Sequence, residues 1–444
     1  MNILNFIIRN KLLCIIILGL IIRLSYGVIV YYLQGSSNFG DDWDYISYAK
    51  NILAQGIFVP DITKLYSNSH LVGPGFPMIL AIIFLFIGEN YVVVILLNAI
   101  ISTLLIFVIY KLAHEIFSEK IAILSAGWAV FYVLFIKYIP FVLKEIWIVF
   151  LFTLIIYLFI TVVKQKNISI KLFLLVLVFS FLIHMDERFF TYLPVLLVSF
   201  LILDLISLKN GLKKASIFFL LICLFMIPWL VRNYIVYDKI VILTARTTAF
   251  TDQIFGYPPE NVSIRNSFTS NNFVWNDSVA NDIIKDVPIE GLKGWRYKNL
   301  KRGLMNGYFP HKYSNLERYY EEFKEFWRPV RFAAGYVADG FRFEGLSWSF
   351  KHNFSLGITY GLLLPFFLIG CFFLIRKKHE YGIFFIVLIL VHTIIHMVLA
   401  HVRNRYRIPI DPLVIIISMY GITQLHYPKS NRFLKKIYTP GNRN

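Results

Sequence analysis

Runs of roughly 17 to 22 apolar residues recur along the chain, separated by short polar stretches. As a helix, each run is long enough to cross a hydrocarbon core of about 30 Å. The pattern predicts spans near 12–33, 91–112, 121–137, 146–163, 167–184, 189–206, 215–231, 354–375, 381–400 and 408–425. The first run is too long for a signal-peptide core and has no small-residue cleavage site after it, which predicts a retained anchor. Lys171 interrupts the run at 167–184 and must reach back toward the interface. The stretch 75–88 (GFPMILAIIFLFIG) is only about 14 residues long. Counting it as a span would invert every later loop, so it is expected to be an amphipathic or re-entrant segment at the outer interface. Just before it, 42–55 reads as a helix with Tyr45, Tyr48, Ala49, Ile52 and Leu53 on one side. The longest polar segment is 232–353. There Ser314-Asn315-Leu316-Glu317 forms a capping box opening a helix with Leu316, Tyr320, Phe323 and Trp327 on one face.

The expected fold class is therefore an all-α polytopic membrane protein with about ten transmembrane helices. Its expected divisions are a transmembrane module at 1–231 with a first outer loop at 34–90, a mixed outer-loop domain at 232–353, and C-terminal helices with a basic tail at 354–444.

Composition strengthens this reading. The 444 residues are 58% hydrophobic and 16% charged, with a mean hydropathy of +0.65. Soluble chains carry about 25% charged residues. A net charge of +18 would suggest nucleic acid in a soluble protein; here the placement of the cations matters more. With the N-terminus inside, the cytoplasmic segments hold 18 Lys and Arg and the short outer segments 8, three of them at 403–407. Moving any span in or out scrambles this alternation, so both termini are expected inside. The aromatic share of 17% suits core packing and lipid contact, and no nucleic-acid partner is expected. Cys14, Cys223 and Cys371 lie in apolar runs and read as small buried hydrophobes, without disulfide or metal spacing.

Candidate chemistry gathers at the outer ends of the spans. Asp41, Asp42, Asp44 and Tyr45 follow the first span, and Lys144-Glu145 opens the fourth. His184-Met185-Asp186-Glu187-Arg188 joins the fifth and sixth, Arg232-Asn233-Tyr234 follows the seventh, and Arg403-Asn404-Arg405-Tyr406-Arg407 precedes the tenth. Acids and bases thus lie on one membrane face, able to converge if the helices bundle. Each group also has a structural reading. The three aspartates could cap a helix and favour its N-terminal dipole. The arginines could anchor lipid headgroups, although their outer placement runs against the usual bias.

Four segments carry a resemblance. GDDWDYISYAKNILAQG followed by GPGFPMILAIIFLFIG looks like the first outer loop of the dolichyl-phosphate-mannose-protein mannosyltransferase-like family. That family, which includes the aminoarabinose transferases acting on lipid A, belongs to the GT-C glycosyltransferases. LNAIISTLLIFVIYKLAHEIFSEKIAILSAGWAVF is similar to the family's second and third spans. IPWLVRNYIVYDKIVILT and RYRIPIDPLVIIISMYG resemble its Pro-Trp-x-x-Arg-Asn and Arg-Tyr-Arg-x-Pro segments. Together these cover roughly residues 10–250 and 400–425.

The resemblance implies sugar transfer from a polyprenyl-phosphate donor to a lipid, glycan or protein acceptor on the extracytoplasmic face. The phosphate leaves readily, so catalysis needs cations to hold its charge and a carboxylate to deprotonate the acceptor. Arg405 and Arg407, with Arg403, would clamp the phosphate, and Lys144 would be a further contact. Asp41 or Asp42 would be the base. Asp-Asp stands where relatives often have Asp-Glu, which leaves the base open among Asp41, Asp42 and Asp44. Glu145 would position the acceptor, and Tyr45, Arg188 and Arg232 are candidate substrate contacts. Direct displacement implies inversion. No metal spacing is evident, and a divalent cation at the acids stays open. The Ile- and Lys-rich chain suggests a bacterial cytoplasmic membrane with undecaprenyl phosphate as carrier.

Two further sites have several readings. Arg23, mid-span, faces either a lipid-phosphate cavity or a carboxylate partner. His392 and His396, spaced i, i+4 with His401 beyond, suit metal ligands or core packing. A transporter or lipid flippase is the main alternative function. It predicts related halves with broken helices meeting at the midplane, and the chain has no such halves.

Overall fold

The computed structural model describes residues 10–34, 41–56, 73–204, 207–237, 241–244, 320, 323–324, 326–329, 354–399 and 404–425. Among these, all regular structure is helical. The helices are α1 Lys11–Gln34, α2 Asp41–Gln55, α3 Gly75–Ile87, α4 Tyr91–Ile116, α5 Glu119–Phe131 and α6 Val133–Lys137. There follow α7 Glu145–Val163, α8 Ile170–Met185, α9 Tyr192–Leu203, α10 Leu208–Tyr237, α11 Leu363–Arg376, α12 Glu380–Leu399 and α13 Asp411–Leu425. Short 3₁₀ turns at Glu187–Thr191, Asn404–Tyr406 and Ile408–Ile410, and a π-turn at Gly357–Gly361, link or precede them.

Helices occur at all ten expected spans. Seven are long and apolar enough to cross a membrane. The other three are shorter: α5 and α6 share 121–137, α8 has 16 residues and α9 has 12. The helix at 42–55 forms, burying Tyr45, Tyr48 and Ala49, but Leu53 is exposed. The segment at 75–88 is the 13-residue helix α3, which packs on α2 and on the end of α8. Gly73 and Gly75 permit that contact. A Cβ on Gly73 would lie 2.3 Å from the His184 carbonyl oxygen, and one on Gly75 2.8 Å from the Met185 nitrogen.

The α5–α6 break has a definite chemistry. Tyr132 adopts extended backbone between the two helices, leaving late α5 carbonyls without helical donors. Arg23 supplies them. Its guanidinium donates to the carbonyls of Ala129 (2.9 Å) and Val130 (3.1 Å), and to the Ser102 hydroxyl (2.7 Å). Ser102 in turn donates to the Phe135 carbonyl at 2.8 Å. The expected carboxylate or phosphate partner is thus replaced by the open end of a helix. The cysteines also depart from expectation: Cys223 is exposed and the other two half-buried. On a membrane helix this exposed surface suits lipid contact.

Contacts group the loops into two ends. At one end Lys164 pairs with Glu115 at 3.0 Å, and Phe117 packs on both His379 and Tyr420. There Lys377 bonds Gln424, and buried Lys214 joins Asp204 (2.8 Å) to the Gln165 carbonyl (2.6 Å). At the other end lie the starts of α7 and α13 and the turn after α8. Successive long helices therefore run in alternating directions. The capping box at 314–317 lies outside the described residues. Of its expected face, Tyr320 and Phe323 are exposed and Trp327 is half-buried, while the neighbouring Phe326 is buried in the core.

Candidate functional site

Glu145 is the first residue of α7, where a carboxylate meets the positive helix end. Lys144 precedes it. Its ammonium donates to the Met185 carbonyl (3.0 Å) and pairs with Asp186 (3.2 Å). Asp186 follows α8 and caps the turn Glu187–Thr191, accepting from the Arg188 amide at 3.2 Å. The same carboxylate takes a two-point contact from the Arg188 guanidinium, with Nε at 2.7 Å. Burial alone would raise the Asp186 carboxyl, but Arg188 and Lys144 together hold it well below the usual carboxylate range. The Arg188 guanidinium lies 4.2 Å from the Tyr406 ring centre and that of Arg405 5.5 Å from it. Arg405 reaches Glu145 at 3.2 Å, and Glu145 adjoins Lys144, which closes the ring of contacts.

This ring sets three cations against two carboxylates, with the Glu187 carboxylate acting on Arg188 beside it. Its members are partly open: Lys144, Arg188 and Arg405 keep 13%, 21% and 13% of their side-chain surface. That suits an anionic ligand entering from the membrane surface. Helix α2 leans on the ring through Tyr45. The Lys144 ammonium is 5.9 Å from the Tyr45 ring centre, and Tyr45 packs edge-on against Phe76 at 5.2 Å.

The structure thus brings Tyr45, Lys144, Glu145, Arg188 and Arg405 together. Asp41, Asp42 and Asp44 occupy the first turn of α2. Asp42 is buried and acts electrostatically on Tyr91, while Asp44 is half-buried. Side chains of Asp41 and Asn404, and all of Arg403, lie outside the described residues.

Arg407 does not join the ring. It is fully buried, paired with Asp411 at 2.9 Å and stacked 3.4 Å over Tyr360. Tyr132 donates to the other Asp411 oxygen at 2.7 Å. Arg407 also donates to the Phe326 carbonyl at 3.3 Å. Its buried ion pair ties α13 to the residues around Phe326, and its Nη2 has no hydrogen-bond partner among the described residues. Arg232 is buried too, over the Trp229 ring at 4.8 Å and bonded to Asn233 at 2.8 Å. Two ring members, Asp186 and Tyr406, were not expected as site residues. The acid-base run His184–Arg188 was their signal, but which carboxylate it feeds is a tertiary fact. His392 and His396 bond Tyr406 and the His392 carbonyl. Among the described residues no three His, Cys, Asp and Glu side chains converge as metal ligands.

Residues 72–231 match the family described as dolichyl-phosphate-mannose-protein mannosyltransferase. No curated protein gives a significant match. The apo oligosaccharyltransferase of Archaeoglobus fulgidus is similar in structure at 13% identity and a TM-score of 0.56, covering 97% of this chain and 52% of its own. The same organism's oligosaccharyltransferase AglB, in complex with an inhibitory peptide and a dolichol-phosphate, gives 14% identity, a TM-score of 0.54, and coverage of 98% and 53%. ArnT from Cupriavidus metallidurans, bound to undecaprenyl phosphate, is more distant at 11% identity, a TM-score of 0.45, and coverage of 94% and 62%. The chain spans about half the length of the archaeal structures it matches. The chain shares the fold of these archaeal oligosaccharyltransferase structures, and its apolar helices are those of a polytopic membrane protein.

Proposed function

We propose that this chain is a glycosyltransferase that moves a sugar from a polyprenyl-phosphate donor to an acceptor at the extracytoplasmic membrane surface. The observation that carries the reading is the ring of Lys144, Asp186, Arg188, Tyr406, Arg405 and Glu145, with three cations converging and partly open, and α2 packed beside it. The cation-rich segments around Lys111, Lys120, Lys164, Lys166, Lys213 and Arg376–Lys378 lie at the opposite end. By the positive-inside bias the ring then faces away from the cytoplasm. The archaeal oligosaccharyltransferase of the same fold has been captured with a dolichol-phosphate, a ligand of the proposed donor class.

In the proposed reaction the acceptor's nucleophilic atom attacks the anomeric carbon from the face opposite the phosphate. The bond from that carbon to the phosphate oxygen breaks, its electron pair stays on the phosphate, and the configuration inverts. A first-turn carboxylate of α2 (Asp41, Asp42 or Asp44) takes the acceptor's proton. Lys144, Arg188 and Arg405 hold the phosphate as its charge grows by one unit on leaving. Because Glu145 and Asp186 already fix these cations, little reorganisation is needed as that charge develops. Glu145 also orients the acceptor. Undecaprenyl phosphate is the proposed carrier and the bacterial cytoplasmic membrane the proposed setting.

The reading is tested by donor turnover in proteoliposomes with Arg405→Ala, Asp41→Asn, Asp42→Asn and Asp44→Asn. The alanine variant should lose donor affinity, while one of the asparagine variants should bind donor but turn over slowly. Parent-like behaviour in all four would set the proposal aside.

A further inference from the structure

Behind the ring, one imidazole joins the two segments that carry its arginines. His392 of α12 is fully buried among Phe152, Phe189, Phe326 and His396, with ring centres 4.1 to 6.1 Å away. Its Nε2 lies 2.7 Å from the Tyr406 carbonyl oxygen. A carbonyl only accepts, so Nε2 carries the proton. In the neutral ring Nδ1 is then an acceptor, and it receives the hydroxyl of Tyr192. The chain is directional: Tyr192 hydroxyl to imidazole, imidazole to Tyr406 carbonyl. Tyr192 stands four positions after Arg188 at the start of α9, and Tyr406 directly follows Arg405. The Tyr406 ring meets Arg188 on one side of this link, and its backbone is held to the Arg188–Tyr192 segment on the other.

We propose that His392 is a positioning residue for the donor phosphate. Through Tyr192 and the Tyr406 carbonyl it fixes the distance between Arg188 and Arg405, so that both guanidiniums meet one phosphate. This inference rests on the donor reading above. Neither side chain of the link touches the ligand. Its effect therefore falls on phosphate affinity, and only while Arg405 is present.

The test measures binding of a short-chain polyprenyl phosphate to the full chain in lipid nanodiscs, with thermal unfolding of each variant alongside. A glutamine amide can place a donor near the imidazole Nε2, whereas an asparagine amide is too short. His392→Asn should weaken binding roughly tenfold, the loss of one buried hydrogen bond, and His392→Gln should restore most of it. In an Arg405→Ala background the same asparagine change should have little further effect, because the two act through one contact. Tyr192→Phe keeps the ring volume and should weaken binding in the same direction, which preserves the test if His392→Asn fails to fold. Parent-like binding by the asparagine and phenylalanine variants, or an undiminished effect without Arg405, would overturn the role of His392. A parent chain that binds no polyprenyl phosphate would overturn the donor reading itself, and this inference with it.

Discussion

Arg405 and Arg407 stand two positions apart in one polar run and meet opposite environments. Arg405 keeps part of its surface and shares Glu145; Arg407 is sealed against Asp411, Tyr132 and Tyr360. Composition and spacing could not separate them, because a shift of two residues between successive 3₁₀ turns decides which faces the core. Their variants should separate cleanly. Arg405→Ala should weaken polyprenyl-phosphate binding by roughly 10- to 100-fold, the range for a hydrogen bond to a charged group. Arg405→Lys should recover only part of it, because an ammonium cannot make the planar two-point contact. Titration of donor lipid by each purified variant checks both. Arg407→Met should instead act on folding. It leaves Asp411 buried and uncompensated, a loss of about 3–5 kcal/mol, and Arg407→Met/Asp411→Asn should recover much of that in thermal unfolding. Asp186 adds a pH signature. Its folded carboxyl lies below the ordinary range, so its stabilisation is complete above about pH 4 and fades as pH falls toward its lowered value. The stability gap between the parent and Asp186→Asn should therefore hold constant from about pH 8 to 5 and narrow in stronger acid. A gap that opened as pH fell would contradict the pairing.

At the scale of elements, the hydrophobic runs located every long helix, because twenty apolar residues in lipid have few alternatives to helix. The short helices α2 and α3 were readable too, since 75–88 is too short to span and 42–55 repeats at helical spacing. The break between α5 and α6 was hidden. WAVFYVLF carries no Gly or Pro, and nothing local to it signals that Tyr132 turns out to reach Asp411. The only trace was Arg23, a cation where lipid should forbid one. Its true partner, the freed carbonyls of Ala129 and Val130, could not be guessed from a carboxylate search. Arg23→Met keeps the length of the side chain and removes its donors, leaving these carbonyls unsatisfied. It should lower stability by about 1–3 kcal/mol in thermal unfolding while polyprenyl-phosphate binding at the ring, none of whose side chains it touches, stays close to that of the parent. Unchanged stability would mean that water or lipid satisfies the break. Where α11 crosses α13, Gly370 and Gly421 allow backbone contact, and a Cβ on either would lie 2.2 Å from a carbonyl oxygen opposite. Small residues at such crossings are common in membrane bundles.

At the scale of the molecule, the bundle sorts charge by end. One end carries the lysine-rich turns; the other gathers the ring of five charged side chains and Tyr406 beside α2. The sequence placed acids and bases at the outer ends but could not say which would meet, since that depends on helix packing over distances of 40 to more than 250 residues in the chain, as from Lys144 to Met185 and from Glu145 to Arg405. In the proposed reaction the ring holds the phosphate, while the chemistry of transfer rests on the acids of α2. The most direct test is conversion of a polyprenyl-phosphate sugar to free polyprenyl phosphate by purified protein in liposomes supplied with cell-envelope acceptors, comparing the parent with Asp41→Asn, Asp42→Asn and Asp44→Asn. Asparagine serves a helix start about as well as aspartate, so each variant should fold. The account predicts turnover by the parent and, for one of the three, a rate lower by roughly 10²–10⁴-fold with donor binding intact. A parent that leaves the sugar attached and carries intact donor across the bilayer would contradict it.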